Sequence, residues 1–124
     1  MSSRELYHGT SGDNILSIIR TGLIEPGADN TIYFSLWTWD SVLMYGADST
    51  RAASFAIKVQ AEIPDNVLSR NIPTPGNPGT LVLLTSQAIF AKVLELHVRK
   101  GRAPDFEFHH IIGDVAVLHY LQKT

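Results

Sequence analysis

The chain has 124 residues, enough for one domain around a single hydrophobic core. Apolar residues make up 44% and charged residues 18%, which supports a packed core and argues against a wholly disordered chain. Ten basic residues face twelve acidic ones for a net charge of −2, so binding driven by phosphate contacts alone is not expected. Without cysteine, disulfides, thiol nucleophiles and cysteine-based zinc sites are excluded. No apolar run is long enough to span a bilayer and no apolar stretch follows Met1–Glu5, so the expectation is a soluble cytoplasmic protein without a membrane role.

Residues 4–8 read as a first strand ending at His8-Gly9-Thr10. Ser11, Gly12 and Asp13 offer helix-start chemistry, and Ile15, Leu16, Ile18 and Ile19 form the apolar stripe of a short helix that Gly22 ends. A polar loop over 25–30 precedes a short strand, Thr31–Ser35. Trp37–Tyr45 reads as a helix closed by Gly46, with Thr38 near its cap. Ala52–Ile63 alternates as a strand, with Phe55, Ile57, Val59 and Ala61 on one face.

Residues 72–79 hold three prolines and two glycines and are expected to form a mobile loop. Leu81–Phe90 fits either a strand with a turn or a helix. Val93–Arg99 alternates as a strand. Phe106–Ile112 and Val115–Tyr120 read as the two arms of a hairpin around Gly113-Asp114. Two short N-terminal helices and about six strands, clustered late, predict an α+β fold with largely antiparallel sheets.

Several chemistries are absent from the pattern. No G-x-G-x-x-G, P-loop, H-E-x-x-H or G-x-S-x-G motif occurs. His109, His110 and His119 are the histidines weighed for a metal. Adjacent His109 and His110 point to opposite faces of a strand, so only one can join His119, and no metal site is expected. Trp37 and Trp39 read as core and rim packing, and Arg99, Lys100 and Arg102 as a solvated edge.

Three separated segments form a pattern. Leu6-Tyr7-His8-Gly9-Thr10 precedes a short helix and Gly22-Leu23. Ile32-Tyr33-Phe34-Ser35 precedes a helix carrying Ser41 and Tyr45, and Glu107-Phe108 opens the last hairpin. In this order, over residues 5–120, the chain resembles the ADP-ribosyltransferase superfamily of the His-Tyr-Glu type, which includes the diphtheria toxin and poly(ADP-ribose) polymerase catalytic domains. The resemblance implies one catalytic domain over residues 1–124 with split antiparallel sheets and short N-terminal helices. It also implies transfer of a single ADP-ribose from NAD to a protein, nucleic-acid or small-molecule acceptor, with release of nicotinamide. The small size is similar to that of toxin-type members, for which a neutralising antitoxin protein is expected.

The resemblance assigns roles by position. His8 would bind the adenosine-ribose hydroxyls of NAD, Gly9 and Thr10 the nicotinamide amide, and Tyr33 the nicotinamide ring. Ser41 and Tyr45 complete the cofactor-binding set, and Glu107 would bind the nicotinamide-ribose 2′-hydroxyl as the catalytic acid. Such chemistry asks for these groups. A carboxylate steadies the cation that develops as the nicotinamide–ribose bond breaks, and an aromatic face holds the leaving ring and excludes water. No metal is required.

The chain departs from the family at two places. The polymerases' second stacking tyrosine falls on Met44, one residue before Tyr45. The E-x-E of arginine-directed toxins is replaced by Asp105-Phe106-Glu107, and Glu95 is a rival acid. Two alternatives stand beside the transferase reading: an RNA 2′-phosphotransferase relative, which shares the Leu-Tyr-His-Gly-Thr start, and an inactive module that binds NAD or ADP-ribose.

Overall fold

The computed structural model describes residues 2–65, 67–74 and 77–124. Among them the chain is a mixed α/β structure built on one curled antiparallel sheet. The strands are β1 (Ser2–Gly9), β2 (Leu23–Ile24), β3 (Thr31–Ser35), β4 (Ala47–Asp48), β5 (Ala53–Ile63), β6 (Leu68–Thr74), β7 (Asn77–Leu84), β8 (Ile89–Lys100) and β9 (Glu107–Ile112). Two α-helices, α1 (Gly12–Thr21) and α2 (Asp114–Gln122), and a 3-10 helix at Asp40–Gly46 complete the set. The sheet runs β2-β8-β5-β1-β3-β7-β6, with β4 paired to β5 and β9 to β8. Among the described residues no helix is long and apolar enough to cross a membrane.

The core follows from alternation. Phe55, Ile57, Val59 and Ala61 of β5 are each fully buried, and Leu6, Phe34, Leu83 and Leu96 meet them from neighbouring strands. Helix α1 covers this face with Ile15, Leu16 and Ile18. Its ends are as the sequence predicts. The Ser11 side chain accepts the Asn14 N–H at 3.3 Å, and Gly22 closes the helix at φ 71°. On the other face of the sheet a smaller cluster joins Val42, Leu43 and Ala56 with Tyr7 and Trp39.

A bulge decides which side chains of β8 face which way. Lys58 pairs with Glu95 but Val59 with Val93, so Leu94 is the extra residue. Before it, Ile89, Ala91 and Val93 are buried; after it, Leu96 and Val98 are. Glu95 and His97 are thereby turned to the face opposite the core. The Leu94 carbonyl accepts the Gly113 N–H at 2.8 Å, which ties the bulge to the start of α2.

Four expectations are corrected. The hairpin over 106–120 is instead strand β9 followed by helix α2. Gly113 (φ 95°) turns the chain, its carbonyl accepts the Val117 N–H at 3.0 Å, and Val117 and Leu121, four residues apart, are buried. The β-rich run from Val115 therefore also carries the first member of a helical pair, and packing against the sheet selects the helix. The 72–79 loop is mostly strand. β6 reaches Thr74 and β7 starts at Asn77, with residues 75 and 76 outside the described residues. β6 is an edge strand, the place where a sheet tolerates proline.

The helix over 37–45 is a 3-10 turn that begins only at Asp40 and includes Gly46. The chain before it is held by hydroxyls, with the Thr38 N–H donating to Ser35 Oγ at 3.1 Å and the Thr38 hydroxyl to Ser41 Oγ at 2.9 Å. These side-chain bonds compete with a regular helix start. The expected six strands become nine among the described residues: the one over 115–120 is lost to α2, and four are gained, the two-residue pairings β2 and β4 and the strands β6 and β7, which fall partly within 72–79. The ambiguous 81–90 segment is the end of β7, a turn and the start of β8.

Candidate active site

A cleft of about 360 Å³ opens where the end of β1 meets α1, the loop after β2, β3 and the 3-10 helix. This lies within the size range of small-molecule sites. His8, Gly9, Thr10, Tyr33 and Tyr45 all line it.

His8 is held by a bond from Nδ1 to the Tyr33 carbonyl, 2.9 Å. A carbonyl only accepts, so Nδ1 carries the proton and Nε2 is left as an acceptor. Burial lowers the His8 pKa, and the Tyr33 carbonyl only partly opposes this, so the ring is neutral at pH 7. Beside it, the Thr10 hydroxyl accepts the Asn14 side-chain amide at 2.9 Å.

Gly9 is required by packing. A Cβ there would lie 1.9 Å from the Val42 carbonyl oxygen and 3.2 Å from Tyr45 Cβ. The absent side chain lets the 3-10 helix rest on the end of β1, and this brings Tyr45 to the cleft. The Tyr33 and Tyr45 rings are 10° from parallel with centroids 6.0 Å apart.

Two acids among the described residues line the cleft, Glu25 and Asp29, both from the polar loop over 25–30. Asp29 Oδ1 accepts the Thr31 hydroxyl at 2.6 Å and the Thr31 N–H at 3.2 Å. The Thr31 hydroxyl bond is the main reason its carboxyl sits below the ordinary range. Its Oδ2 receives a long bond of 3.5 Å from the Tyr33 hydroxyl, which puts a carboxylate at the edge of the Tyr33 ring.

Asn14 and Ser17 of α1 also reach the cleft and were not foreseen. Their spacing of three places them on one exposed strip of α1 beside Ile18, which also lines the cleft, and that spacing is the available signal.

Ser41 and Glu107 are not brought to the cleft. Ser41 donates to the Thr38 carbonyl at 3.0 Å and accepts from the Thr38 hydroxyl, which fastens the 3-10 helix. Glu107 stands on β9, three strands from β1 by way of β5 and β8, or about 14 Å at ordinary strand spacing. Its side chain is 69% exposed and meets His109 Nε2 at 2.9 Å. The acid expected there is displaced because the last segment pairs with β8 and not with the strands of the cleft. The cross-strand neighbours of Tyr33 and Ser35 on β7 are Val82 and Thr80, neither of them acidic.

A second cluster lies on the sheet face opposite the core. His97 and His110 are direct cross-strand partners, and their rings stack at 4.3 Å. Trp39 stacks on His97 at 4.8 Å, 1° from parallel. His110 Nε2 meets Glu95 Oε1 at 2.5 Å, and Lys58 Nζ lies 3.5 Å from Glu95 Oε2. Burial, then the charge of His110, lowers the His97 pKa to about 4 against the pull of Glu95. The histidine grouping weighed from the sequence is thus replaced. His109 turns to Glu107, His119 is exposed on α2, and His97 takes their place beside His110.

Compared with known proteins, the chain matches no family model, no curated protein and no solved structure.

Proposed function

We propose that the chain is an ADP-ribosyltransferase-like domain that transfers one ADP-ribose from NAD to an acceptor. The near-parallel Tyr33 and Tyr45 rings at the cleft carry this reading. A planar ring between two aromatic faces needs about 7 Å, twice the ordinary carbon contact distance. The gap between the faces is no wider than the 6.0 Å centroid distance, so the two exposed tyrosines must part by at least about 1 Å to admit nicotinamide. Neutral His8, with Nε2 as acceptor, suits a ribose hydroxyl, and the backbone at Gly9 suits the nicotinamide amide.

The carboxylate of this reading is Asp29, in place of Glu107. As the nicotinamide–ribose bond breaks, its electron pair leaves with nicotinamide and positive charge grows on the sugar. An ionised carboxylate at the rim of the ring slot stabilises that charge as it forms. An acceptor nucleophile then bonds to the same sugar carbon and loses its proton. The acceptor belongs to a protein, a nucleic acid or a small molecule, and a toxin-type role with a neutralising partner protein goes with this reading.

A second reading, NAD binding without turnover, is favoured by one observation. No acid stands beside Tyr33 on β7, and Asp29 already serves Thr31 and Tyr33. The RNA 2′-phosphotransferase alternative is weakened, because among the described residues that line the cleft there is no arginine or lysine to hold a 2′-phosphate.

The deciding experiment follows nicotinamide release from NAD with cell extract as the source of acceptor. Release by the wild-type chain, lost in Tyr33→Ala and strongly reduced in Asp29→Asn, is expected. Saturable NAD binding with no release would leave the binding module standing, and no NAD binding at all would remove both readings.

A further inference from the structure

We infer that Glu95, His97 and His110 form a binding site for a divalent transition metal of the zinc type, on the sheet face away from the cleft. One ring nitrogen from each histidine and a Glu95 carboxylate oxygen lie within 4.8 Å of one another. The donors come from two paired strands, His97 opposite His110 and Glu95 two residues along β8. The Leu94 bulge puts Glu95 and His97 on this face together. Without it, one register step would send them toward the core.

Three features distinguish the cluster from a chance meeting of polar groups. His97 Nε2 is buried and has no hydrogen-bond partner, a state that calls for a ligand. Trp39 stacks on the His97 ring, 1° from parallel, which fixes its direction before any ion arrives. Lys58 engages the oxygen of Glu95 that His110 does not, and so orients the carboxylate.

The donor set selects the ion. Two imidazoles and one carboxylate suit zinc and its neighbours, whereas magnesium and calcium favour oxygen ligands. Metal–ligand bonds of about 2.0–2.1 Å require donors about 3.4 Å apart in a tetrahedral site. The His110 ring, stacked 11° from parallel on His97, must also rotate so that its in-plane lone pair converges with that of His97, and the side chain, 47% exposed, has room to do so. Three protein ligands leave a fourth position for water. The nearby Lys58 ammonium opposes a cation, so binding is weaker than in an all-neutral setting.

The test is calorimetric titration of the untagged full chain with zinc chloride, with magnesium chloride in parallel and Trp39 fluorescence as a second readout. Saturation at one zinc per chain, a change in tryptophan emission and no magnesium binding are expected. Glu95→Gln and His110→Asn should each weaken zinc binding by about tenfold or more. Both alter partly exposed side chains, and circular dichroism of each variant checks that the fold is kept. No saturable zinc binding by the wild type, equal binding in two folded variants, or equal response to magnesium would overturn the proposal. The cleft takes no part in this test, so its outcome is independent of the NAD reading.

Discussion

Tyr33 and Tyr45 stand 10° from parallel with ring centroids 6.0 Å apart, and they come from different elements. Tyr33 is fixed by the pairing of β3 with β7, and Tyr45 by the contact of the 3-10 helix with Gly9. Stacking on one aromatic face contributes about 0.5–1.5 kcal/mol. Tyr45→Ala should therefore weaken NAD binding by up to about tenfold while leaving thermal stability nearly unchanged, since the side chain is 58% exposed. Tyr45→Phe should bind like the wild type. Calorimetric titration with NAD reads both.

Glu107→Gln should leave NAD binding and nicotinamide release unaltered, because Glu107 is exposed and lies on β9 away from the cleft. Asp29→Asn should lower release much more than it lowers affinity, since the charge acts on the cation that forms in the reaction. Nicotinamide release rates across an NAD series separate the two effects.

Gly9→Ala is expected to destabilise the fold. The new methyl would lie 1.9 Å from the Val42 carbonyl oxygen, and backbone must move to admit it. Overpacking of this kind costs about 1–3 kcal/mol. Thermal unfolding measures the loss, and the displaced 3-10 helix should also weaken NAD binding through Tyr45.

Asp48 makes stability depend on acid. Burial pushes its carboxyl up, but the Thr50 hydroxyl (2.6 Å), the Gly12 N–H (2.9 Å) and Arg51 (3.0 Å) more than reverse this, and hold it at about 2. A folded-state value below the ordinary 3.8 gives stability that is fully present above about pH 4 and lost as pH falls toward 2. The shift corresponds to about 2 kcal/mol. Urea unfolding should show Asp48→Asn clearly weaker than wild type at pH 6, with the gap closing near pH 2. Arg51 also reaches Asp13 at 3.0 Å, so this network anchors the start of α1, the wall of the cleft.

Much of the scaffold was legible in the chain because its signals are local. The Ser11 cap, the Ile15–Ile19 stripe and Gly22 specify α1 within one short segment. Alternation through Phe55–Ala61 specifies the buried face of β5. The same holds for half of the site: His8, Gly9 and Thr10 are consecutive, and Tyr33 lies in a recognisable strand.

The rest was decided by which strand lies beside which. Sequence spacing cannot say that β9 pairs with β8, and that pairing takes Glu107 away from the cleft and sets His110 against His97. Nor can it show the Leu94 bulge, where a single extra residue reverses the facing of all that follows. Val115–Tyr120 is rich in residues that favour strands, and only the waiting core, which takes Val117 and Leu121 four residues apart, made the segment a helix. Local patterns are set by the chain's own backbone geometry. Neighbours across a sheet are set by the burial of the whole core, and Glu95, His97 and His110 owe their places to that, whereas Asp29 is held by its own neighbour Thr31.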